Sequence, residues 1–223
     1  MDTRINDSSA PKHTTQWQWL ATLHLSDSAL PTGAFAYSEG LEAAVQAEAV
    51  ASAQELAAWM TLWREEVFRS CEGPALCQLS RAVQGADWQT LRRVNAELTA
   101  LKPAQSLRDS SHSYGRRLLS TCRPLYPDVP FTPLEELSPH LNGITVQAAL
   151  YATLGLSAEQ ALATYAFGRL NQMISAALRL FSIGQQAGQA ELHLQLQQLP
   201  PTIALVLQHA EAPLRSFTPR MDS

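Results

Sequence analysis

The residues of this chain that could do chemistry are few, and their spacing does not bring them together. The nearest approach to a nucleophile elbow, Gly-x-Ser-x-Gly on a strand-to-helix turn, is Ala36-Tyr37-Ser38-Glu39-Gly40. Its first position is alanine and no strand-forming run precedes it, so a serine hydrolase is not expected. No Gly-x-x-x-x-Gly-Lys run is present to cradle phosphates, and Lys12 and Lys102 are the only lysines. His13, His24, His112, His140, His193 and His209 are scattered, without His-x-His, His-x-x-x-His or Cys-x-x-Cys spacing. Cys71 and Cys77 are separated by Gly73-Pro74 and do not share a helical face; with Cys122 they read as small buried thiols. The adjacent carboxylates Glu65-Glu66 and Glu135-Glu136 diverge on a helix and suit solvated faces. The expectation is therefore no catalytic set and no metal ligands within one chain. A metal site assembled between two chains stays open.

The elements that would hold these residues are helices. The chain has 33 Ala and 33 Leu against 5 Ile and 8 Val in 223 residues, which excludes a β-sandwich or a parallel sheet and predicts one all-α domain. A net charge of −4 and a pI near 5.8 lack the basic excess of a nucleic-acid binder. Charged residues make up 16%, where about 25% is usual. Either a partner buries part of the surface, or Gln, Ser and Thr supply its polarity. The first sixteen residues have no apolar core of a signal peptide, and the uncharged stretch 140–158 is broken by Asn142, Gly143, Thr145, Gln147, Thr153 and Gly155. With three cysteines, these features predict a cytoplasmic protein that neither enters nor binds a membrane.

Residues 1–15 read as a disordered tail, 16–211 as the helical domain and 212–223 as a flexible end. About eight to ten helices are expected. The first, from Gln16 to Leu25, places Trp19, Leu20 and Leu23 on one face. Ser38 is placed to cap a second that buries Leu41, Ala44 and Val45. Ser52-Ala53-Gln54-Glu55 is a capping box opening a helix to about Cys71, with Leu56, Trp59, Met60, Trp63, Val67 and Phe68 inward. Gly73-Pro74 is expected to end that helix and open the next. Asp87 caps a helix to Leu101, and Ser106–Thr121 forms another. Five prolines break the stretch 123–139. After a helix from Gly143 to Leu154, the box Ser157-Ala158-Glu159-Gln160 opens a long one burying Leu162, Tyr165, Ala166, Leu170, Met173, Ile174, Ala177, Leu178 and Phe181. From 142 to 190 only Glu159, Arg169 and Arg179 are charged, so this segment is the centre of the fold or of an oligomer interface.

The stretch from Leu25 through Asp27, Pro31, Gly33, Phe35, Tyr37, Ser38, Gly40 and Leu41 to Glu42 closely resembles the signature of the UreF family of urease accessory proteins. Ser106-Leu107-Arg108 with Gly115-Arg116-Arg117-Leu118-Leu119 is similar to the family's middle helix. Ser175 to Leu180, leading to Gly184-Gln185-Gln186-Ala187-Gly188-Gln189, is similar to its late helix and turn. At the end of the chain His209, Arg215 and Phe217 keep family spacings while residues between them depart from the pattern.

The resemblance implies a helical, dimeric, non-catalytic maturation protein. Its partners would be a UreD-like protein (UreH in some systems), a UreG-like GTPase and apo-urease, with GTP hydrolysis by the GTPase supporting nickel insertion. Nickel would be handled transiently, with no tightly bound cofactor. The interface candidates are Asp27, Pro31, Gly33, Phe35, Tyr37, Ser38, Gly40, Glu42, Arg179, Gln185, Gln186, His209, Arg215 and Phe217. Read from the residues alone, Pro31 and Gly33 fix a turn, Ser38 caps a helix and Gly40 admits a close backbone. Phe35 is either a core residue or a rigid partner anchor. Two alternatives remain beside the adaptor: a direct nickel metallochaperone with an inter-chain site, and a small helical enzyme with a pocket lined by Tyr151, Tyr165 and Phe167.

Overall fold

A computed structural model describes residues 14–27, 30–31, 40–102 and 104–215. The described residues form helices and connections, with no strand. Following the chain, these are α1 (Thr15–Leu25), α2 (Leu41–Gln46), α3 (Ala53–Leu62), a π-helix (Trp63–Glu72), α4 (Gly73–Gln84), α5 (Trp88–Ala100), α6 (Gln105–Cys122), α7 (Phe131–Glu135), α8 (Gly143–Thr153), α9 (Ala158–Leu180), α10 (Gln185–Gln197) and α11 (Leu199–Gln208).

Local chemistry sets most of these boundaries. Ser52 Oγ accepts the Glu55 amide at 3.2 Å, and Glu55 reaches back to the Ala51 amide at 2.8 Å. At α9 the box is complete: Ser157 Oγ accepts from the Gln160 amide, and Gln160 Oε1 accepts from the Ser157 amide at 2.9 Å. Asp87 Oδ1 takes the Thr90 amide at 3.0 Å to start α5.

Gly73-Pro74 does not end a helix. The rod runs unbroken from Ala53 to Gln84, and its middle widens into the π-helix. In a regular α-helix the Pro74 ring would collide with the carbonyl of Ser70 four residues earlier, and it offers that carbonyl no N–H. Widening the preceding turns removes the collision. The Ser70 carbonyl instead accepts the amide of Arg215 at 3.0 Å. Val206 of α11 packs onto Gly73, where a Cβ would meet its Cγ1 at 2.8 Å.

The core lies between this rod and the later helices. α4 packs on α5 and α8, α6 packs on α8, and α9 touches α2, α4, α8, α10 and α11. Leu162, Tyr165, Ala166, Leu170, Met173, Ile174 and Ala177 are buried as their spacing predicts, whereas Leu178 and Phe181, at the helix end, are only half-buried. Phe68 stacks between Trp63 and Tyr165 at centroid separations of 5.4 and 6.4 Å. A polar clamp joins three elements within this core. Asn142, fully buried, gives its amide to Asn95 Oδ1 at 3.0 Å and its Nδ2 to Thr99 Oγ1 at 2.9 Å. Its Oδ1 accepts from Ser111 Oγ at 2.9 Å and from Lys102 Nζ at 3.3 Å. Thr145 Oγ1 also donates to Asn95 Oδ1, at 2.8 Å. The clamp thus ties α5, α6 and the start of α8.

Candidate partner-docking surface

The first helix has its large apolar side chains on the outside. Trp19, Leu20 and Leu23 are 59%, 61% and 65% exposed, although their shared face suggests a core-facing stripe. The inward stripe is Gln18, Ala21, Thr22 and Leu25, at helical spacing. Ala21 is buried, Leu25 packs on the core, and Gln18 Nε2 donates to the Leu154 carbonyl at 2.9 Å. At the far end of α1, His24 Nδ1 and the Tyr126 hydroxyl lie 2.8 Å apart. Gln18, Ala21, Thr22 and Leu25 therefore hold α1 to the domain, and Trp19, Leu20 and Leu23 face away. Leu125, 48% exposed, borders clefts of about 380 and 420 Å³ beside α1.

Asp27 and Pro31 line the larger cleft with His24, Leu30 and Thr121, and Thr121 Oγ1 donates to the Pro31 carbonyl at 3.1 Å. Gly40 is the N-cap of α2 with φ +85°, and a Cβ there would find its nearest neighbours, Leu107 and Trp59, at 3.8 Å. Its need is therefore the left-handed conformation and not a close backbone. Glu42 is exposed in the first turn of α2. Gly33, Phe35, Tyr37, Ser38 and Phe217 lie outside the described residues.

The remaining candidates occupy two other regions. Arg179 ends α9 on the exposed side, and Gln185 and Gln186 are exposed at the start of α10. His209 is exposed with its Nδ1 2.9 Å from the Leu205 carbonyl. The segment after it is laid on the rod. Gln78 Nε2 donates to the Ala210 carbonyl at 3.1 Å, Leu214 is buried, and the Arg215 amide donates to the Ser70 carbonyl. The sequence-named residues among the described ones therefore sit on separate patches.

Glu55 and Asp87, exposed at helix starts, are held below the usual carboxylate range by their capping hydrogen bonds, led by those to Ala51 and Thr90, whereas the thiols, Glu72 and Lys102 are shifted by burial. Burial, reinforced by Glu72, pushes the Cys71 thiol up to about 12, and burial alone does the same for Cys122. Glu72 accepts the Trp63 indole N–H at 3.2 Å, and burial raises its carboxyl against the pull of Lys102, Tyr165 and Trp63. Burial lowers the Lys102 ammonium, opposed by Glu72. Tyr151 and Tyr165 are buried and, with Phe167, line neither cleft beside α1. Among the described residues no three His, Cys, Asp or Glu side chains are grouped to hold a metal, and no helix is long and apolar enough to cross a membrane.

Sequence reasoning missed the direction of α1. Apolar residues surround this helix, so periodicity alone could not orient it. The usable signal was the stripe of Gln18, Ala21 and Thr22, which can pack closely and bond a backbone carbonyl.

This chain folds, over its described residues, into a helical domain whose first helix turns Trp19, Leu20 and Leu23 outward. It belongs to the UreF family: the family's sequence model matches residues 50–197. The UreF urease accessory proteins of Trichormus variabilis and Cupriavidus metallidurans are 31% and 32% identical to it, over 83% and 78% of this chain and 80% and 76% of theirs. The bifunctional urease accessory protein UreEF of Bordetella bronchiseptica is 30% identical over all of this chain and 51% of its own length. The chain is thus a urease accessory protein, supporting urease maturation, and not an enzyme. The signature at residues 25–42 lies before the matched stretch.

Proposed function

We propose that this chain is the adaptor of a urease maturation complex, using the outward face of α1 to hold a UreD-like partner and so recruit a UreG-like GTPase to apo-urease. The observation that carries this reading is the exposure of Trp19, Leu20 and Leu23 on a helix fastened by its other side. Nickel is the cargo, passed to urease and not retained by this chain. The Bordetella bronchiseptica relative, named for both UreE and UreF, supports work within such an assembly. A homodimer through the charge-poor outer side of α9, and residence in the cytoplasm, complete the proposal.

Substituting Leu23→Asp tests it, because the side chain is 65% exposed and supports little of the core. The melting temperature should stay within about 2 °C of wild type. Affinity for a UreD-like partner should fall more than about tenfold, the loss of a hot spot of roughly 2 kcal/mol. Calorimetric titration showing undiminished affinity would remove α1 from the interface. The adaptor alone should hydrolyse no GTP, so turnover by clean protein in proportion to its concentration would also contradict the proposal.

A further inference from the structure

We propose that His112 and His140 form an acid-sensitive latch that holds the 137–142 loop against α6. The two rings meet edge to face at a centroid separation of 5.2 Å. His112 is 5% exposed on α6, whereas His140 is exposed on the loop. The loop is pinned around this contact by main-chain groups. Asn95 Nδ2 donates to the His140 carbonyl at 2.9 Å, and Arg116 Nη1 donates to the Pro139 carbonyl at 2.8 Å. The Leu141 carbonyl lies over Gly115. His112 Nε2 stands 3.1 Å from Thr99 Oγ1 and is thereby joined to the Asn95–Asn142 clamp. A charge gained at His112 therefore acts on α5, α6 and the loop that leads into α8.

The surroundings oppose that charge. The groups facing His112 are His140 from the loop, Lys102 from the end of α5, and Arg116 and Asp109 from α6; only Asp109 favours the imidazolium. Burial, then His140, Lys102 and Arg116, hold the imidazole below its ordinary value of 6.5. A histidine held low contributes stability that is complete above the unfolded value. That contribution drains away as pH falls from about 6.5 through the folded midpoint. The first contacts to yield should be the bonds that hold the loop, since a cation at His112 stands near Arg116, whose guanidinium bonds the Pro139 carbonyl, and against the His140 ring.

Hydrogen exchange and ring-proton NMR on the intact chain test the latch. Corrected for the intrinsic pH dependence of exchange, protection of residues 137–142 should fall about tenfold between pH ~7.5 and ~5.5. His112→Gln, whose amide can still reach Thr99, should reduce that fall to about threefold or less. His140→Gln, at an exposed position, should move the His112 midpoint upward and keep the test available if His112→Gln does not fold. A wild-type midpoint at or above 6.5, a midpoint indifferent to His140, or an equal loss of protection in a folded His112→Gln would each overturn the latch.

Discussion

Gly115→Ala should unfold the domain or cost about 3 kcal/mol or more, the largest loss expected from adding a single methyl group. A Cβ at Gly115 would lie 2.1 Å from the Leu141 carbonyl oxygen and 2.9 Å from the Leu141 and Asn142 carbonyl carbons. These are backbone atoms that cannot rotate away. The Leu141 segment is also fixed on both sides, by the Pro139 bond to Arg116 and by the Asn142 bonds to Asn95. Relieving the contact would therefore require α6 to separate from the loop and disturb the packing of α8. Urea denaturation followed by circular dichroism measures the loss. A variant within about 1 kcal/mol of wild type would mean that α6 and this loop are not in direct contact.

Asn142→Ala should cost about 3–4 kcal/mol, through unmet hydrogen bonds and not through lost volume. The side chain is fully buried and serves four partners: Ser111, Lys102, Thr99 and the main chain of Asn95. Truncation leaves donors and acceptors of this set buried without a partner, at about 1–3 kcal/mol each before water relieves some of them. Ser111→Ala removes one member only and should cost about 1 kcal/mol. Equal losses for the two variants, by the same denaturation measurement, would show that Asn142 does not organise the clamp.

Helix identity was legible wherever short-range chemistry decided it. The boxes at Ser52 and Ser157 and the cap at Asp87 appear as their spacing predicts. The buried stripe of α9 follows for the same reason, since one long helix with an apolar face has one way to pack. Gly73-Pro74 failed as a stop because tertiary packing on both sides favours a continuous rod. The proline is accommodated by widening the turns before it. The break-rich stretch 123–139 still contains α7, where Pro133 falls in the first turn and needs no donor. Orientation was the illegible part. α1 shows that a helix can be fastened by Gln18, Ala21 and Leu25 while Trp19, Leu20 and Leu23 face out, a choice made by the surface it packs on and not by the helix. The interface candidates were legible as a family pattern only, because their spacing along the chain carries no reaction geometry.

The most direct measurement is nickel uptake by purified apo-urease incubated with nickel, GTP, a UreD-like protein and a UreG-like GTPase, with and without this chain. Urease is then separated by gel filtration and its bound nickel counted by mass spectrometry, alongside urea hydrolysis. An adaptor predicts GTP-dependent loading only when this chain is present, with Leu23→Asp restoring little of it although folded. Equal loading of urease without this chain would contradict its role in maturation.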